Sequence, residues 1–170
     1  MGQYHVIVNL DKREFLDPHE FGCGLKLWEQ AMNHPGVASA LLILLACSSG
    51  RGGGDFKDPN TADEDRKLSE KFYSGLIKLD EMIEQRNELL KDPDPVIGRW
   101  AGDKIAIVGD YAEDDDLPAE YNAKNIYMRC MDDKDRSYTD ISDIVIPYAE
   151  FNFGVKYEGA GWRNIVKGGE

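Results

Sequence analysis

Arg51 stands inside a run of glycines, Ser48-Ser49-Gly50-Arg51-Gly52-Gly53-Gly54-Asp55-Phe56. Consecutive glycines let backbone amides converge on an anion, and a guanidinium adds charge-assisted donors. Arg51, Gly52, Gly53, Gly54 and Asp55 are therefore the candidate ligand-binding residues, for a phosphate or a carboxylate. The pattern is not a P-loop, because no lysine followed by serine or threonine comes after Gly54. Nor is it a dinucleotide fingerprint, because no strand leads into it. A structural role competes: Gly50 as the left-handed C-terminal cap of the apolar segment before it, with Arg51 and Asp55 pairing across the turn.

A second group is acidic. Asp110, Glu113, Asp114, Asp115 and Asp116 follow an apolar run closely. Hard cations need several oxygen ligands in one place, so Asp110, Asp114 and Asp116 are candidate metal ligands. The group lacks the alternate-residue spacing and central glycine of an EF-hand loop, and a solvated acidic loop is the competing reading. His19 and Cys23 lie close enough in sequence to meet as base and thiol nucleophile. No third orienting group or oxyanion hole is recognisable beside them, and no GxSxG, HExxH or kinase set occurs. Aromatic residues crowd the second half: Trp100, Tyr148, Phe151, Phe153, Tyr157 and Trp162. Core packing is their default role. Exposed together, Trp100 and Trp162 with Glu113 and Asp115 would form a partner surface.

The chain's composition narrows the partner. Its 170 residues carry 32 acidic and 20 basic side chains, a formal charge of -12. Such a surface repels nucleic-acid phosphates and anionic membranes and favours basic partners. Neither direct nucleic-acid binding nor membrane association is expected, and no cofactor is indicated. The three cysteines, Cys23, Cys47 and Cys130, are far apart and form no CxxC pair, so reduced thiols in a cytoplasmic protein are expected. The N-terminal MGQYHVIVNL lacks the order of a signal peptide, and Val6 stands where a myristoylation motif wants serine or threonine.

These residues must be positioned by elements that the pattern partly specifies. Tyr4–Leu10 reads as a strand, Asp11–Arg13 as a turn and Glu14–Leu16 as the returning strand. Leu25–Met32 reads as a short helix. Val37–Cys47 is apolar almost all round and predicts a central buried helix. Thr61 and Glu64 match a capping box for a long helix over about 62–90, with Leu68, Phe72, Leu76, Leu79 and Ile83 on its packed face. Lys104–Tyr111 predicts a strand, and Asn125–Cys130 another. A helix over Asp143–Phe151 is in tension with Pro147, and the tail 167–170 is expected to fray. The sum is one α+β domain over 1–166: a small, mainly antiparallel sheet packed on a buried apolar helix and a long amphipathic one.

Two stretches, MGQYHVIVNLDKREFLDPHEFGCGLKLWEQ and IGRWAGDKIAIVGDY, resemble a family of uncharacterised bacterial and phage-encoded proteins. The GRGGGD run is similar to part of that pattern. The resemblance implies a shared fold and a phage or bacterial source; it brings no assigned activity. It also implies that the helical stretch 61–91 is an insertion. Together with the charge and the missing catalytic sets, these features favour a non-catalytic, acidic interaction protein, of phage or mobile-element origin, that binds a basic host protein. The alternatives are a small-ligand or phosphate-binding domain or enzyme built on Arg51, and a structural, oligomer-forming protein.

Overall fold

The computed structural model describes residues 3–47, 56–91, 95–132 and 136–157, and the backbone alone of 165–167. The N-terminal hairpin forms as its alternation requires, with β1 at His5–Asn9 and β2 at Glu14–Leu16. Ile7 pairs with Leu16 and Val8 with Phe15, antiparallel. β3, Ile105–Gly109, adds to the other side of β1 with Ile7 opposite Ile107. A two-residue β4, Thr139–Asp140, joins β2 in parallel and completes a sheet of order β3-β1-β2-β4. A separate pair, β5 at Val155–Tyr157 and β6 at Ile165–Lys167, lies outside that sheet. Lys167 thus ends a strand, while the rest of the expected frayed tail lies outside the described residues.

The sheet is covered on both faces because both sets of alternating side chains are apolar. Ile7 and Leu16 join Phe21, Val37, Ala40, Ile43, Leu44, Trp100 and Val145 in one core. Val6, Val8, Phe15 and Val108 join Ala123, Ile126 and Cys130 in the other. The first core is roofed by α2, Val37–Leu45, and α6, Ser142–Phe153. The second is roofed by α5, Ala123–Met131. A short α1, Leu27–Met32, precedes α2, and its buried Gln30 donates to the His5 carbonyl at 2.8 Å.

Four expectations are corrected. Asn125–Cys130 is helical within α5, because its buried residues Ala123, Ile126, Tyr127 and Cys130 recur at helical spacing once Ala123 is counted. The expected long helix is two: α3, Ala62–Tyr73, and α4, Leu79–Leu89, which fold back on each other. Gly75 makes the break possible with a left-handed φ of +75°. Thr61 is the N-cap of α3 but makes no side-chain cap bond, so the capping box is not closed; the Asp58 carbonyl takes the Thr61 and Ala62 N–H groups instead. α2 is not buried all round, since Leu42 is 58% exposed. Pro147, by contrast, is accommodated inside α6. Burial of Val145, Tyr148 and Ala149, each apolar side chain contributing on the order of 1 to 3 kcal/mol, offsets a proline cost of about 3 kcal/mol.

Candidate functional site

The most developed polar constellation joins two stretches far apart in the sequence, 9–14 and 98–104. Asn9 closes β1 fully buried, and its Oδ1 accepts the Asp11 and Lys12 N–H groups at 3.0 and 2.9 Å. That bond pair builds the hairpin turn locally, an aspartate-type turn made by asparagine. The turn directs Lys12 outward and Glu14 inward along β2. Glu14 is a buried carboxylate, which is stable only when paired and hydrogen-bonded.

Its partners come from the segment 98–104. Arg99 Nε donates to both Glu14 oxygens at 3.1 and 3.0 Å, and its Nη2 donates to Oε1 at 2.6 Å. Trp100 Nε1 donates to Oε2 at 2.7 Å. Lys12 Nζ donates to the Arg99 carbonyl and pairs with Asp103 Oδ2 at 2.8 Å. Asn9 Nδ2 donates to the same Asp103 oxygen at 2.7 Å, and the Lys104 N–H donates to Asp11 Oδ2 at 2.8 Å. The Lys12 and Asn9 hydrogen bonds hold the Asp103 carboxyl below its ordinary pKa.

The same segment also ends α2. The Ile43 and Leu44 carbonyls, left over at a helix C-terminus, accept the Gly98 and Trp100 N–H groups at 2.9 Å each. Gly98 does this with a φ of +78°, and a β-carbon there would press on the Ala46 carbonyl oxygen at 3.2 Å. Chemically the cluster is a clasp. The Glu14 carboxylate is committed to fixed donors, which suits it to locking the hairpin onto α2.

The sequence candidates fall as follows. Arg51, Gly52, Gly53, Gly54 and Asp55 lie outside the described residues, as does Trp162. The C-cap of α2 is Ala46, ahead of Gly50, so the expected cap at Gly50 is corrected: segment 98–100 performs that task. The proposed partner-surface role of Trp100 is also corrected. Its side chain is fully buried, because its indole must reach Glu14 from inside the core. Glu113 and Asp115 are exposed.

Two of the three candidate metal ligands, Asp110, Asp114 and Asp116, accept backbone hydrogen bonds. Asp110 Oδ1 accepts the Tyr4 N–H at 3.0 Å, and Asp116 Oδ2 accepts the Glu113 N–H at 2.8 Å. One oxygen of each of these two carboxylates is thus engaged by a backbone donor. Among the described residues no group of three His, Cys, Asp or Glu side chains is arranged to hold a metal ion.

His19 and Cys23 do not form a catalytic pair. His19 faces Asp17 at 3.7 Å. Cys23 is 1% exposed at the start of α2, where its sulfur accepts the Val37 N–H at 3.4 Å and burial pushes its thiol pKa up. Among the described residues no helix is long and apolar enough to cross a membrane.

Comparison with known proteins returns no matching family, curated protein or solved structure. Glu14, Arg99 and Asp103 escaped the reading of the sequence because no short-range spacing links them. The one available signal was that two polar motifs, NLDKRE and GRWAGDK, sit beside strand-forming runs.

Proposed function

We propose that this chain works by binding a basic protein, without catalysis of its own. The observation that carries the reading is the surface of the α3–α4 hairpin. Leu76, Leu79 and Ile83, which the sequence places on a packed face, are instead 75%, 51% and 45% exposed, as is Tyr73 at 85%. On α4, Leu79 precedes and Ile83 joins a row of carboxylates at helical spacing, Asp80, Glu84 and Glu88, along a shallow open face that also includes Asn87 and Lys91. Apolar side chains flanked mainly by carboxylates, with Lys91 paired to Glu88 at 3.6 Å, suit a partner that presents apolar anchors among lysines and arginines. The charge of -12 favours the same partner over a nucleic acid.

The test is capture on the immobilised full chain at low salt, followed by a salt gradient. Basic proteins should be retained and then released as ionic strength rises. Leu79→Ser combined with Ile83→Ser should abolish retention, and Glu84→Lys combined with Glu88→Lys should lower the salt needed for release. A captured set that is indifferent to both double variants would refute the reading.

A further inference from the structure

α3 and α4 pack chiefly on each other, and the contact between them is narrow. Leu68 is the buried residue of α3, and Met82 is that of α4. Such a hairpin keeps two open flanks, and here they differ in chemistry. One is the groove where Lys67 and Lys71 of α3 stand beside Gln85 and Leu89 of α4. The other belongs to α4, where Ile83 stands among Asp80, Glu84 and Glu88. Leu79 lies one turn before Ile83, and Asp80 one turn before Glu84, so apolar and acidic side chains run side by side along the helix. Glu88 is paired with Lys91, but Asp80 and Glu84 take no hydrogen bond or ion pair from any described residue.

A helix face presents side chains to its partner, not a strand edge. An extended segment laid on it would press backbone N–H and C=O groups against leucine and isoleucine without partners, which is costly. An incoming helix satisfies those groups within itself. Its side chains also recur every four residues, about 6 Å along the axis, the same repeat that separates Leu79 from Ile83 and Asp80 from Glu84. The apolar ridge of one helix then seats in the groove of the other. Lysines or arginines beside that ridge meet Asp80 and Glu84 in step.

On the reading that this hairpin is the docking face, we infer that the partner's contacting element is a basic amphipathic α-helix. It lies along α4 with its apolar stripe on Leu79 and Ile83 and packs as a third helix on the hairpin. The flank bearing Lys67 and Lys71, of the same sign as the incoming helix, stays uncovered.

The probe is a synthetic lysine–leucine peptide of about 14 residues patterned at helical spacing, long enough to span α4 and marginal as a free helix. Its control has the same composition, shuffled to remove the period. On addition to the full chain at low ionic strength, difference circular dichroism should show the patterned peptide gaining helix. It should bind about tenfold more tightly than the shuffled one, and amide exchange in α4 should slow.

Leu79, Asp80, Ile83 and Glu84 are all exposed, so their replacement spares the fold. Leu79→Ser with Ile83→Ser should weaken the patterned peptide about tenfold. Asp80→Asn with Glu84→Gln should weaken it and flatten its salt dependence. Lys67→Ala with Lys71→Ala should not weaken it. Equal affinity for the two peptides, binding without helix gain, indifference to both α4 double variants or loss of binding in the lysine variant overturns the inference. So does failure of both peptides to bind. If basic proteins are still retained on the full chain and released by salt, the docking face stands and only its helical occupant is lost.

Discussion

Replacing Glu14 with alanine removes the acceptor shared by Arg99 and Trp100. Breaking a buried, hydrogen-bonded ion pair by truncation costs about 3 kcal/mol or more, so the urea midpoint should fall by an amount that a conservative surface change would not approach. Trp100→Phe keeps most of the buried ring and the Arg99 contact, and should cost less than Glu14→Ala. Thiol chemistry gives an independent check on the cores. Cys23 and Cys130 are buried, and burial pushes the Cys130 thiol up to about 12, whereas Cys47 is exposed. A maleimide should label Cys47 alone in the native protein and all three cysteines in denaturant. At this scale the sequence showed which residue types could do chemistry and misjudged their neighbours. Asp110 and Asp116 were read by their side-chain oxygens alone, and one oxygen of each takes a backbone amide that the spacing does not reveal. Trp100 looked like a candidate anchor because nothing local reveals an acid 86 residues away in the chain.

Hairpins and edge elements depend on how few side chains hold them, and α3 and α4 pack chiefly on each other. Their clasp is Arg86, which donates to Asp65 Oδ1 at 2.5 Å and to Ser69 Oγ at 2.8 Å. Leu68 and Met82 supply the buried apolar contact. Arg86→Ala should therefore speed amide exchange through α3 and α4 by roughly tenfold, for a loss of about 1 to 2 kcal/mol at a partly buried charged bond. Exchange in β1 and β3 should be unchanged, and a uniform acceleration would show the hairpin to be integral to the main core. The elements most legible in the sequence were those with a single dominant period. The β1–β2 hairpin, β3 and α2 formed close to where alternation or continuous apolarity placed them. The helical break at Gly75 was hidden by Leu76 and Leu79, which continue the apolar rhythm across it. For α5, strand-favouring Ile126 and Tyr127 outweighed a helical spacing that becomes visible only from Ala123 onward.

Charge acts on the molecule as a whole, and its pH dependence follows from two carboxyls shifted in opposite directions. Glu20 is raised by burial and then by Asp17, Asp143 and Asp140 nearby. A carboxyl that is harder to ionise in the folded state binds more protons there than in the unfolded chain. Its contribution to stability therefore grows as pH falls through the raised value toward the ordinary one of about 4.3. Neutralising part of the charge of -12 also eases self-repulsion over this window. Asp103 behaves in the opposite way. Its lowered carboxyl, held by Lys12 and Asn9, stabilises the fold above the ordinary value of about 3.9 and loses that contribution as pH falls below it. The melting temperature should rise as pH falls from neutral toward the ordinary carboxylate range and fall again below about pH 4, with the turning point set between these groups. Glu20→Gln should flatten the rise and leave the acid limb in place. Asp103→Asn should lower the plateau and make the acid limb shallower. Thermal unfolding of the three proteins at fixed ionic strength decides the matter, and a melting temperature that declines steadily from pH 7 downward would show that the surface carboxylates stabilise the fold as a set, against the balance drawn from Glu20 and Asp103.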